Sequence, residues 1–130
     1  MPPLTAERHN KHRKATSVKE IKAIIQPHML DKVMLALRCL PHFPGVTVSD
    51  CHGQGRGRGP GGHYQPGQRD VFFAKQVKLE VFCDDAICEE LVEAIRLNSH
   101  TGNSGDGIIM VADLPRVVRI RTGERQTDAT

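Results

Sequence analysis

The sequence is poor in aromatic residues: its 130 residues include no tryptophan, one tyrosine and four phenylalanines. A hydrophobic core must therefore consist mainly of isoleucine, valine, leucine and methionine side chains. No apolar run approaches the roughly 20 residues that a membrane-spanning helix needs, and the N-terminus has no apolar segment of the signal-peptide type. We therefore expect one cytoplasmic domain that is not embedded in a membrane and that gains stability by forming oligomers.

The chain also lacks the motifs of several enzyme and metal-protein classes. There is no G-x-x-x-x-G-K-[ST] phosphate loop, no C-x-x-C pair, and no nucleophile beside a recognisable base. We therefore predict that the protein is not an enzyme, has no catalytic residue and keeps its cysteines reduced. A metal site is the alternative, and its candidate ligands are Cys51, His52, His63, Cys83 and Cys88.

The positive charge is confined to one end of the chain. Residues 1–17 contain four basic residues against one acidic residue, whereas the basic and acidic residues of 18–130 balance. The basic tail lacks apolar periodicity, which predicts disorder for residues 1–17. Because nucleic-acid binding usually needs a basic face on the folded domain, the neutral body predicts that nucleic acid is not a partner.

Hydrophobic spacing predicts four strands and two helices. Alternating apolar residues are typical of strands, whereas apolar residues three or four positions apart are typical of helices. The predicted order is a strand at 18–26, a helix at 27–40, strands at 46–51 and 76–83, a helix at 84–100, and one or two strands within 107–121. This β-α-β-β-α-β order predicts an α+β, ferredoxin-like fold, in which both helices cover one face of an antiparallel sheet. Isoleucine and valine on both faces, as with the neighbours Ile24 and Ile25, predict that a partner subunit covers the other face.

A glycine-rich segment, "HGQGRGRGPGGHYQPGQ" (52–68), separates the two middle strands. Seven of the residues from Gly53 to Gly67 are glycine, and Arg56 and Arg58 lie between glycines. A loop of this length in a compact domain is usually either functional or disordered. The composition leaves three readings open: a linker, an RNA-binding tract, or a mobile loop that serves a site.

Two further stretches suggest anion binding. In "TGNSGDG" (101–107) three glycines allow backbone N–H groups to converge on an anion, although a helix cap at Gly102 followed by a plain turn is the alternative. In "RVVRIRTGE" (116–124), Arg119 and Arg121 would share one face of a strand. They could hold a phosphate between them, or form ordinary surface salt bridges.

From Val18 to Glu124 the chain resembles the PII signal-transduction proteins. "IKAIIQPHMLDKVMLAL" resembles their first strand and helix, and "GVTVSDCHGQGRGRG" resembles the entry to their long T-loop. "TGNSGDG" and "RVVRIRTGE" resemble their B-loop and C-loop. The resemblance implies a homotrimer that binds adenine nucleotides between subunits and regulates a target protein through the T-loop, with a membrane transporter as the candidate target. The chain then divides into a tail (1–17), a PII-like domain (18–124, T-loop about 53–75) and a short tail (125–130).

The resemblance also implies a set of site residues. The predicted nucleotide-binding residues are Ile24, Thr47, Gly53, Gly55, Arg56, Phe82, Gly102, Gly105, Asp106, Gly107, Arg119 and Arg121. The predicted contacts of the T-loop with a partner or effector are Arg58, Tyr64 and Arg69. The nucleotide is ADP, AMP or ATP, and the role of magnesium is left open.

Several positions depart from the family's pattern. Gly57 replaces a glutamine and Gln76 replaces a lysine, both of which help hold 2-oxoglutarate in the family, and Lys75 is one residue away. Ile108 replaces a basic residue that binds phosphate, and Arg69 replaces a tyrosine that many members modify. These losses predict a preference for ADP or AMP and no requirement for 2-oxoglutarate. The alternatives are a bicarbonate or small-anion sensor, and a metal-responsive regulator that uses Cys and His near the T-loop.

Overall fold

The structure is a computed structural model that describes residues 17–53 and 74–125. Its four strands form one antiparallel sheet in the order β2-β3-β1-β4. The elements are β1 (Val18–Ile25), α1 (Leu30–Arg38), β2 (Thr47–Gly53), β3 (Ala74–Asp84), α2 (Asp85–Ser99) and β4 (Gly107–Leu114). The predicted α+β, ferredoxin-like class and the order of its elements are confirmed, with strand boundaries shifted by one or two residues.

The alternation in β3 decides which face of the sheet is buried. Val77, Leu79, Val81 and Cys83 are at most 4% exposed, and they lie on one face because successive side chains of a strand point to opposite sides. Ile21, Ala23 and Ile25 of β1 lie on the same face, as the strand pairing shows. This face forms the inner side of the core.

Both helices pack against that face. Val33 and Leu37 of α1 are fully buried, as are Leu91 and Ile95 of α2. Burying apolar side chains contributes most of the folding free energy. Every buried hydrophobic residue of the described chain is aliphatic or a cysteine, which agrees with the core composition predicted from the scarcity of aromatics.

The other face of the sheet, called the open face below, is not covered by either helix of the described residues. It carries Ile24, Phe82, Ile108 and Met110 among charged residues, and the last three are between 41% and 59% exposed. Ile25 is buried, whereas Ile24 lies on the open face, as predicted for these neighbours.

Three local predictions differ from the structure. A 3-10 turn at Pro27–Met29 precedes α1, so the α-helix begins at Leu30 rather than at the proline. The helix α2 ends at Ser99 and its cap residue is His100, so Gly102 lies beyond the cap. Residues 115–125 form no named strand; they fold into a tight hairpin that a single bridge between Val118 and Arg125 closes.

Several predicted features lie outside the described residues. These are the N-terminal tail to residue 16, the T-loop from 54 to 73, and residues 126–130. The predicted site residues in this part of the chain are Gly55, Arg56, Arg58, Tyr64 and Arg69. Within residues 17–53 and 74–125, neither helix has the length and apolar composition needed to cross a membrane.

Candidate functional site

A cleft of about 540 Å³ lies between the open face and the C-terminal hairpin. Its size suits a small-molecule ligand, because ligand pockets typically have volumes of several hundred Å³. Four of the predicted nucleotide-binding residues line it: Thr47, Phe82, Arg119 and Arg121. The other residues that line the cleft are Pro44, Gly45, Val46, Glu80, Val117, Val118 and Ile120.

Strand register explains the sheet side of this cleft. Thr47 at the start of β2 pairs directly with Glu80 of β3. Phe82 lies two residues further along β3, so it shares the open face with Glu80. Phe82 is 43% exposed, which leaves its ring available as a flat apolar surface. The register therefore places a hydroxyl, a carboxylate and an aromatic ring side by side.

The hairpin supplies the opposite side. The amide of Arg119 donates to the carbonyl of Glu124 at 2.8 Å, and the amide of Gly123 donates to the carbonyl of Arg119 at 2.7 Å. Gly123 has a φ of +78°, a conformation that glycine adopts without strain. The prediction that Arg119 and Arg121 share a strand face is thus wrong. A tight turn, rather than strand alternation, brings both into the cleft.

The two arginines differ in their partners. The Nε of Arg119 lies 3.9 Å from Oε1 of Glu124, a loose ion pair within the hairpin. No carboxylate within residues 17–53 and 74–125 lies at ion-pair distance from Arg121. A guanidinium group presents several N–H donors in one plane, which suits phosphate or carboxylate oxygens. The cleft can therefore bind an anionic group at the hairpin and a flat group with hydrogen-bond donors beside Phe82 and Glu80.

Glu80 was not among the predicted site residues, although it lines the cleft. Its position two residues before Phe82 could have predicted this, since residues two apart on a strand share a face. Nothing in the sequence predicted that the segment from Pro44 to Val46 would line the cleft. It precedes β2, and only the folded chain brings it to the hairpin.

The second group of predicted residues surrounds the loop Thr101–Gly107, called the TGNSGDG loop below. The Asp106 carboxylate accepts hydrogen bonds from the amides of Thr101, at 2.8 Å, and Gly102, at 2.9 Å, and also from the Thr101 hydroxyl. These bonds, the Thr101 hydroxyl first, hold the pKa of Asp106 below its ordinary value. Two of the loop amides therefore bind a carboxylate of the loop itself.

This loop is also fixed to the end of β1. The Gln26 side chain donates from Nε2 to the carbonyl of Gly105 at 2.9 Å. Gly107 has a φ of +114° and lies against the backbone of Ile24. Gly53, at the end of β2, lies near the same end of the sheet, where the Gln76 side chain covers its α-carbon.

The predicted nucleotide residues therefore form two separate groups in one chain. The cleft group comprises Thr47 on β2, Phe82 on β3, and Arg119 and Arg121 on the hairpin. The other predicted residues of the described chain do not line the cleft: Ile24, Gly53, Gly102, Gly105, Asp106 and Gly107. Most of them belong to the TGNSGDG loop, which leads into β4 on the opposite edge of the sheet from β2, whereas Ile24 lies on β1 and Gly53 ends β2. Three strand spacings separate the two edges, about 14 Å.

The structure does not bring the candidate metal ligands together. Cys51 pairs with Gln76 on the open face, whereas Cys83 of β3 and Cys88 of α2 are buried in the core. No group of three potential metal-ligating side chains occurs in the described parts of the chain. His63 lies outside the described residues.

Comparisons with known proteins give a consistent result. The sequence profile of the family described as nitrogen regulatory protein P-II matches residues 18–124. A nitrogen regulatory protein P-II of Azospirillum brasilense is 43% identical over 112 residues, which cover 86% of this chain and 99% of that protein. Proteins of the same description from Rhodospirillum rubrum and Nostoc punctiforme are 41% and 38% identical over the same shares.

A solved structure agrees with the fold. The crystal structure of Arabidopsis thaliana PII bound to citrate superposes with a TM-score of 0.69 at 30% sequence identity. The superposition covers 88% of this chain and 94% of the plant chain.

Proposed function

This chain belongs to the nitrogen regulatory protein P-II family, whose members are signal transducers rather than enzymes, and from this premise we propose its function. The chain forms a homotrimer that binds an adenine nucleotide in the clefts between its subunits. The nucleotide state is passed to a target protein through the T-loop, about residues 53–75. We place the protein in the cytoplasm, and the candidate target protein is a membrane transporter.

The cleft beside the hairpin is the observation that carries this proposal. Arg119 and Arg121 supply cationic donors for phosphate oxygens, and Phe82 supplies an apolar surface for a purine ring. Thr47 and Glu80 can bond to hydroxyl or amino groups between these two ends. A nucleotide has an anionic end, hydroxyl groups and a flat base, and therefore fits this donor set.

The separation of the two residue groups supports a site between subunits. The TGNSGDG loop precedes β4 and the hairpin with Arg119 and Arg121 follows it, so the two anion-binding elements adjoin opposite ends of that strand in one chain. A neighbouring copy that places its hairpin beside this loop would complete the site. Exposed apolar residues on the open face, such as Ile108 and Met110, supply surface that such a neighbour would bury.

The charges favour a ligand with fewer phosphates than ATP. Ile108 follows the TGNSGDG loop where the family has a basic residue, and it is 59% exposed and apolar. Gln76 replaces a lysine, and Lys75 does not compensate because the neighbours lie on opposite faces of β3. ADP or AMP is therefore preferred over ATP, and 2-oxoglutarate is not required.

Calorimetric titration with ATP, ADP, AMP and 2-oxoglutarate tests the proposal. We expect ADP or AMP to bind, and Arg121→Ala to weaken binding about tenfold or more, because it removes charged hydrogen bonds to phosphate. Arg116→Ala is the matched control, since Arg116 carries the same charge near the start of the hairpin but does not line the cleft. Absence of adenine-nucleotide binding by the wild-type chain, or tight magnesium-dependent binding of 2-oxoglutarate with ATP, contradicts the proposal.

A mixing experiment tests whether two subunits share one site. Gly105→Asp adds a negative charge to the loop, and Arg121→Ala removes a positive charge from the hairpin, so each variant alone should bind poorly. Co-expressed chains should regain binding, because some sites then combine an intact loop with an intact hairpin from another chain. No regain in a mixed trimer shows that each site is built within one chain.

A small-anion sensor is the second candidate. The same arginines suit a carboxylate or bicarbonate as well as a phosphate, and the Arabidopsis PII structure was solved with citrate. A thermal-shift panel that includes bicarbonate and citrate separates the candidates, since a ligand that prefers the native state raises its melting temperature. Stabilisation by bicarbonate but by no nucleotide favours the anion sensor.

A further inference from the structure

We propose that Asp106 is a positioning residue, whose carboxylate holds the TGNSGDG loop in its nucleotide-binding shape without contacting the nucleotide. This inference rests on the proposed nucleotide binding and changes the role expected for Asp106, which the sequence grouped with the ligand-contacting residues. The hydrogen bonds of the loop carry the argument.

The Asp106 carboxylate accepts three hydrogen bonds from its own loop. One oxygen accepts the amides of Thr101 and Gly102, and the other accepts the Thr101 hydroxyl. The Thr101 hydroxyl oxygen in turn accepts the amide of Asn103 at 3.1 Å. The carboxylate therefore binds two successive amides and the Thr101 hydroxyl through charge-assisted bonds, which are stronger than neutral ones, and the hydroxyl holds the Asn103 amide in turn.

This arrangement divides the loop amides into two sets. Those of Thr101, Gly102 and Asn103 bond within the loop, whereas those of Ser104 and Gly105 have no hydrogen-bond partner among the described residues. The second set is therefore available to a phosphate. A carboxylate that also contacted the phosphate would repel it, because both groups carry negative charge.

The surroundings of the loop are consistent with this role. The His100 imidazole lies beside the loop, with Nδ1 3.7 Å from the Asp106 carboxylate, and it is largely exposed. Gln26 and Gly107 hold the end of the loop against β1. Asp106 thus fixes the first half of the loop, which makes no hydrogen bond to the sheet among the described residues.

Substitutions at two positions test the proposal. We expect Asp106→Ala to weaken ADP binding about tenfold or more, because three loop donors lose their acceptor. Asp106→Asn should recover part of this loss, since its single carbonyl oxygen still accepts. Thr101→Val should weaken ADP binding, whereas Thr101→Ser should bind ADP about as well as the wild type, because serine keeps the hydroxyl. Asn103→Ala is the control, since the Asn103 side chain makes no hydrogen bond in the described structure.

Chemical rescue distinguishes a positioning role from general damage to the fold. In Asp106→Ala, formate can occupy the vacated position and accept the same donors, so formate should recover ADP affinity more than chloride at equal ionic strength. The wild-type chain should show no such gain. Hydrogen exchange at the amides of Thr101 and Gly102, measured without nucleotide, should accelerate in Asp106→Ala and slow again with formate.

The outcomes separate this inference from the proposed function. If the wild-type chain does not bind ADP, the proposed function fails and this inference fails with it. If the wild-type chain binds ADP but Asp106→Ala binds equally well, only the positioning role is overturned. A loss that neither formate nor the Asn variant relieves also overturns it, because that result indicates direct contact with the ligand.

Discussion

Gly107 packs directly against the main chain of Ile24 at the start of β4. A β-carbon built on Gly107 would stand 1.8 Å from the carbonyl oxygen of Ile24, far inside any real contact. The backbone of Gly107 also has a φ of +114°, a value that residues with a side chain rarely adopt. Glycine is therefore required where the TGNSGDG loop enters the sheet.

Gly107→Ala should destabilise the fold strongly. We expect a loss of about 2–6 kcal/mol in the free energy of unfolding, since backbone strain and steric overlap each cost about 1–3 kcal/mol. Gly45→Ala is the matched control: its φ is +108°, but nothing lies within 4 Å of the added β-carbon. Gly45→Ala should lose only the free energy that corresponds to the backbone strain. Urea denaturation measures the unfolding free energy of both variants. Equal losses would show that the contact with Ile24 is relieved without cost.

Two leucines of α1 provide a test of the core. Leu37 is fully buried, whereas Leu35 is 60% exposed on the same helix. Leu37→Ala should cost about 2–5 kcal/mol of unfolding free energy, because it removes buried methyl groups and leaves a cavity. Leu35→Ala should stay within about 0.5 kcal/mol. A similar cost at both positions in denaturation curves would mean that a partner buries the outer side of α1.

The thiols should differ in reactivity. Burial, with the nearby Cys88 thiol adding to it, raises the pKa of Cys83 to about 12, and burial also raises the pKa of Cys88. Because the thiolate is the reactive form, both should resist a disulfide reagent at pH 8 until the protein unfolds. Cys39 is exposed and should react first, so Cys39→Ser should remove the fast phase. Rapid reaction of all four thiols without denaturant would contradict the burial.

Asp106 should make stability depend on acid pH. Its pKa is lowered in the native state by the Thr101 hydroxyl first and then by the loop amides, so the ionised form stabilises the fold. This contribution is complete above the unfolded pKa of about 3.9 and is lost as pH falls through the native value. The difference in unfolding free energy between wild type and Asp106→Asn should therefore shrink below about pH 4. A difference that does not change with pH would refute the assignment.

Hydrophobic alternation predicted the sheet well because it reports burial directly. Val77, Leu79 and Val81 recur at every second position, and one covered face of a sheet produces this pattern. For the C-terminal segment the same argument gave a wrong prediction of a strand. Valine and isoleucine alternate with arginine from 118 to 121. The segment has no neighbouring strand among the described residues, however, and it forms a hairpin instead.

The hydrogen bonds of Asp106 are a feature of the site that the sequence did not predict. Glycines around an aspartate predicted a loop able to bind anions, and the folded loop is consistent with that. The sequence did not reveal that the aspartate binds part of the loop itself. Hydrogen-bond partners within a short loop depend on backbone torsion angles, which residue types restrict but do not specify.

The order of residues alone determined the class of fold, its aliphatic core and the positions of its loops, because periodicity and glycine content act over short distances along the chain. Only the tertiary structure decided that Glu80 joins Thr47 and Phe82, and that the hairpin arginines line the same cleft. It also decided that the TGNSGDG loop lies on the opposite edge of the sheet. Strand register and strand order join residues far apart in the chain, and no local pattern encodes these distances.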